Sequence, residues 1–116
     1  MKLSDSRTIY NVTRHTLSNV EWQNATVDNG AWVFYSSIEK FEADFIEPVV
    51  IFLRDINIYV SLSRTESFVA VREELVKYIG HLIGKYDFTL WSSDLKRVVE
   101  VSKVGVLRYG TSKNAN

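Results

Sequence analysis

The chain has 116 residues, enough for one ordinary domain and too few for two. A 46% hydrophobic share excludes a disordered polymer, and the absence of cysteine excludes disulfides, thiol catalysis and Cys-ligated metal. Lys plus Arg and Asp plus Glu stand at 14 each, so the basic excess of a nucleic-acid binder is missing.

Taken in chain order, Ser4 to Leu17 sets Ile9, Val12, Thr16 and Leu17 at helical spacing, with Ser4 or Asp5 as N-cap. Val20 to Val27 alternates, Asp28-Asn29-Gly30 turns, and Ala31 to Tyr35 continues, which predicts a hairpin. Ile38, Phe41 and Phe45 mark a short amphipathic helix near 37–46, stopped ahead of Pro48. Pro48 to Arg54 then reads as a buried strand, Asp55 to Asn57 as a turn, and Ile58 to Leu62 as a returning strand. A long helix is expected over 64–83, opened by a Ser63/Glu66 capping pair and carrying Phe68, Val71, Leu75, Ile79 and Leu82 as one apolar stripe. Three strands follow at Asp87–Trp91, Arg97–Val101 and Val104–Tyr109, and residues 110–116 read as a frayed polar tail. The sum is one α+β domain over 1–116. A mostly antiparallel sheet of five to seven strands carries the long helix on one face.

Chemical equipment is scarce. His15 and His81 each fall on a predicted helix without a second ligand type at metal spacing, so no metal or cofactor is expected. Glycine-rich phosphate loops, nucleophile elbows and zinc-protease patterns do not occur, and Ser36-Ser37 and Ser92-Ser93 have no base beside them. Glu100 and Lys103 stand three apart and would face opposite sides of a continuous strand, against a simple nuclease site. No signal-peptide run and no stretch near the ~20 apolar residues of a membrane span is present, so a cytoplasmic protein is expected.

Charge is unevenly spread: residues 1–20 carry a net +2, residues 21–60 a net −5 and residues 61–116 a net +3. The acids at 39–47 read first as the wet side of a short helix, and second as a patch that would capture a basic partner.

The stretch Tyr86-Asp-Phe-Thr-Leu-Trp-Ser-Ser-Asp-Leu-Lys-Arg-Val-Val-Glu-Val-Ser-Lys-Val-Gly-Val-Leu-Arg-Tyr-Gly110 resembles the closing strands of small bacterial immunity proteins, which are encoded beside polymorphic or contact-dependent toxins. The likeness rests on the Asp94-Leu95 turn, Glu100 and Gly105. It departs from the pattern at Lys96 and Arg97, where an aromatic residue is usual. The resemblance implies a stoichiometric inhibitor that docks on a toxin domain and has no catalytic residues. Interfaces draw their energy from aromatic and Arg anchors rimmed by charge, so the expected partner-binding residues are Trp22, Tyr35, Glu39, Glu42, Asp44, Glu47 and Asp55. Two alternatives stand beside this one: a small enzyme with a dispersed acid and His site, and a homodimeric adaptor that pairs through an exposed strand.

Overall fold

The computed structural model describes residues 5–23, 32–35 and 37–113. Helix α1 (Ser6–Leu17) starts at Asp5, whose carboxylate accepts from the Thr8 N–H, and ends with Arg14 and His15 in its last turn. Strands β1 (Val20–Trp22) and β2 (Val33–Phe34) come next, then helices α2 (Ile38–Asp44) and α3 (Ile46–Leu53). The hairpin β3 (Asn57–Ser61) and β4 (Phe68–Val71) leads through a 3-10 turn at Arg72–Glu74 into helix α4 (Leu75–Leu82). Strands β5 (Phe88–Ser92), β6 (Arg97–Ser102) and β7 (Val106–Ser112) close the chain. The seven strands form one antiparallel sheet in the order β1-β7-β6-β5-β3-β4, with β2 also on β7.

Several expectations are corrected. The Pro48–Arg54 stretch is helix α3, not a strand: Pro48 stands in the first helical turn, where no intrahelical N–H is required, and Val49 and Leu53 bury at i, i+4. Residues 64–83 do not form one long helix. Phe68–Val71 is strand β4, registered on β3 through Ile58↔Ala70 and Tyr59↔Val69, and only Leu75–Leu82 is α-helical. The Ser63/Glu66 pair belongs to a turn in which the Glu66 N–H bonds the Ser63 carbonyl. Within the described residues β1 and β2 do not close on each other as a hairpin. Trp22 lies opposite Gly110 and Val33 opposite Leu107, so the two strands run end to end along one side of β7; the expected turn, Asp28 to Gly30, lies outside the described residues. Residues 110–112 of the expected tail belong to β7, and the Lys113 N–H reaches the Asn19 carbonyl.

Side chains alternate across the sheet and build two cores. On one face Ile58, Val60, Ala70, Leu90, Val99, Val101 and Leu107 meet Phe41 of α2, Val49 and Leu53 of α3, and Leu75, Ile79 and Leu82 of α4. On the other, Tyr59, Trp91 and Val98 meet Ile9 of α1, with Val12, Leu17, Val20 and Trp22 packed around them. Helix α1 is fastened there by the buried Thr13 hydroxyl, 2.7 Å from Ser61 Oγ, and by Ser6, which donates to the Arg64 carbonyl and accepts from the Ser67 N–H. One helix against three leaves part of this second face uncovered.

Candidate functional site: two surfaces and a cleft

The expected partner-binding residues do not meet on one surface. Tyr35 is 2% exposed, and its hydroxyl donates to the Ser102 carbonyl at 2.8 Å. Burial raises the pKa of that hydroxyl, which stays neutral in the core. Glu39, Glu42, Asp44 and Glu47 are all exposed on the α2–α3 corner. Lys40, the cation within that run, is paired with Asp44 at 3.0 Å. Trp22 lies on the opposite side of the sheet, across from Gly110. Asp55 stands apart from both groups, in the loop between α3 and β3.

The uncovered part of the second face holds a polar cluster built on a cross-strand ion pair. Glu100 of β6 and Arg108 of β7 are direct cross-strand partners, and Arg108 Nε and Nη2 each stand 2.7 Å from Glu100 Oε1. The guanidinium lies 3.9 Å from the centre of the Trp22 ring and 4.3 Å from that of Trp32, so an arginine is held between two indoles. Trp22 comes this close because its partner is Gly110. A Cβ there would stand 2.4 Å from Val20 Cγ1 and 2.8 Å from Trp22 Cε3. Beside the stack, a cleft of about 230 Å³ opens between α1 and the sheet, lined among others by Tyr10, Arg14, Thr89 and Glu100. Phe34, at 68% exposure, and Val104, at 73%, stand at the β6–β7 turn end of the sheet.

At the other end of α3, Asp55 ties two loops together. Its Oδ2 accepts from both the N–H and the hydroxyl of Ser93, and its Oδ1 from the N–H groups of Ile56 and Asn57. Burial alone would raise this carboxyl's pKa, but the bonds from Ser93, Asn57 and Ile56 outweigh it, and the net direction is down. Asp55 is therefore a structural anion that joins the α3–β3 loop to the β5–β6 turn. The same turn carries Asp94, which accepts from Ser92 Oγ and the Lys96 N–H.

His15 and His81 are exposed in the last turns of α1 and α4, and Lys103 is in a turn rather than on a strand with Glu100. Among the described residues no group of three or more His, Asp and Glu could hold a metal ion, and no helix is long and apolar enough to cross a membrane.

The Trp22–Arg108–Trp32 stack was not anticipated. Half of it follows from register, because a turn at Lys103–Gly105 puts Glu100 opposite Arg108. The indoles come from segments far away in sequence, and nothing local announces them. Comparison with family models, curated proteins and solved structures finds no match to this chain.

Proposed function

We propose that this chain acts without catalysis, by binding the basic surface of another protein in the cytoplasm, as a stoichiometric inhibitor of the immunity type. The observation that carries this reading is the α2–α3 corner, where exposed Glu39, Glu42, Asp44 and Glu47 face solvent with Lys40 as their one interleaved cation. The corner has a net charge of −3 across 37–53, with Ile38 and Ile51 exposed on the same two helices to supply contact area. Fixed like charges on a helical corner steer a cationic partner and speed its capture. The resemblance of Tyr86–Gly110 to immunity proteins supports the inhibitor role and leaves the binding face open.

The test is to identify the gene that neighbours this one and to titrate its product, expected to be a toxin domain, with this chain. Inhibition saturating at one to one, weakened about tenfold or more by the combined E39K, E42K and E47K substitutions and by added salt, is the expected outcome. Neutralisation unaffected by charge reversal in a folded variant would remove the acidic corner as the docking surface. Failure to bind that domain would remove the inhibitor reading.

One observation favours a second reading, an adaptor that pairs with its own copy. Strand β4 ends the sheet. The Arg72 N–H donates to the Ile56 carbonyl, and this phase of the ladder turns the amides of Val69 and Val71 away from β3. Both valines are also partly exposed, at 37% and 41%. Open edges of this kind invite strand addition. A dimeric mass in sedimentation that reverts to monomer in a folded V69P variant, which removes an outward N–H and none of the β3–β4 ladder bonds, would select this reading; a monomer at every concentration would end it.

A further inference from the structure

We infer that the cleft between the α3–β3 loop and the β5–β6 turn is a binding site for a small phosphorylated molecule. This site is independent of the acidic corner and of the protein-binding reading. The cleft encloses about 390 Å³, and its lining includes Arg54, Lys96, Arg97, Thr111, Asp55 and Asp94. That volume lies within the ~300–1,000 Å³ usual for small-molecule sites and exceeds what a bare oxyanion fills.

Three facts single out this place. First, none of the three cations has an ion-pair partner among the described residues; Arg97 only stands over the Phe52 ring, at 5.4 Å. Second, the two nearby carboxylates are already engaged. Both oxygens of Asp55 and Oδ1 of Asp94 accept hydrogen bonds from backbone N–H groups and serine hydroxyls, which shape the lips of the cleft. Third, the described non-glycine residues with left-handed backbone are Arg54 (φ 54) and Leu95 (φ 61), one on each lip. L-residues are strained in that conformation, and glycine is the usual occupant. At Arg54 the left-handed turn ends α3 and brings a guanidinium to the rim; at Leu95 it sets the next residue, Lys96, on the facing rim. The Asp55–Ser93 bonds hold the rims together, so the backbone that carries the cations is set before any ligand arrives.

The donor set suits a phosphate monoester. Two guanidinium forks match its oxygens in pairs, the ammonium adds a point charge, and the Thr111 hydroxyl offers one further donor. With two carboxylates against three cations the cleft has a charge excess of only +1, so recognition comes from directed donors more than from net charge.

The experiment is an amide-resolved NMR titration of the whole chain with inorganic phosphate, glucose 6-phosphate and glucose. Expected are saturable shifts confined to residues 53–55, 94–97 and 111–112, with glucose 6-phosphate at least as tight as phosphate and glucose without effect. The R54Q/R97Q double variant should bind glucose 6-phosphate about tenfold more weakly or worse, with its other resonances unchanged. Should that variant fail to fold, K96Q, at an exposed side chain, carries the test with a smaller loss in the same direction. The assignment is overturned by absence of saturation, by shifts spread over surface cations such as Arg7, Arg64 and Lys77, or by wild-type affinity in the folded variants.

Discussion

The two faces of the sheet are built by opposite means. The face under α2, α3 and α4 is closed by a continuous apolar core, in which Phe41, Val49, Leu75 and Leu90 have no exposed surface. Among the described residues the face under α1 has Ile9, Tyr59, Trp91 and Val98 as its buried apolar centre, and beyond them it relies on an arginine between two indoles, an ion pair and a glycine. Burial is non-directional and tolerates approximate fit, whereas stacked and charge-assisted contacts depend on register and close approach. The difference teaches that half of this sheet is stabilised by area and half by geometry. Mutations should separate the two.

The largest effect belongs to the area side. Phe41→Ala empties a site with no exposure, between the Tyr35 ring at 5.2 Å and the Phe45 ring at 6.0 Å, and should cost about 3–5 kcal/mol in denaturant unfolding. On the geometric side a single added methyl should be felt. Gly110→Ala drives its Cβ into Val20 and Trp22 and should cost about 1–3 kcal/mol, measured as a drop in unfolding midpoint; a neutral Gly110→Ala would show that β1 is not held in this register. Next comes Arg108→Ala, which removes the cation from both rings and strands Glu100. A loss of about 1–2 kcal/mol is expected by thermal unfolding, and the double variant with Glu100→Gln should lose less than the two single changes summed.

The smallest effect is conditional on pH. The folded pKa of Asp55 is lowered, so its contribution is complete above the unfolded value near ~3.9 and disappears as pH falls through the folded one. Asp55→Asn should therefore destabilise at neutral pH and flatten the acid limb of the stability profile, leaving little difference from the parent at the lowest pH. Equal sensitivity at all pH values would mean that the Ser93 bonds do not depend on the carboxylate charge.

Legibility in the sequence followed local signals and not the two faces. Helices α1 and α2 and strands β5, β6 and β7 were readable because caps, turns and periodicity are local there. Two misreadings have one cause, an apolar pattern that satisfies two periods. Ile46–Leu53 is a short run compatible with either strand or helix, and Pro48 reads as a stop although it fits a first turn equally well. Phe68, Val71 and Leu75 fit a helical stripe, but Phe68 and Ala70 point inward while Val69 and Val71 point outward, and pairing with β3 decides the matter from a distance. Of the expected binding residues, the acidic corner was legible as a charge run, while Tyr35 gave no local sign of its burial. Asp55 has its role because Ser93, 38 residues away, offers it two donors.

All three tryptophans stand on the α1 side of the sheet: Trp91 in its centre, Trp22 and Trp32 against Arg108. Tryptophan fluorescence consequently reports on this layer, whereas far-ultraviolet dichroism sums all four helices, of which α2, α3 and α4 occupy the opposite one. The molecule thus comes with two optical reporters, one confined to the α1 side and one that averages over both. Coincident melting curves would mark one cooperative unit, and a gap between them would measure how far the thinner side loosens first.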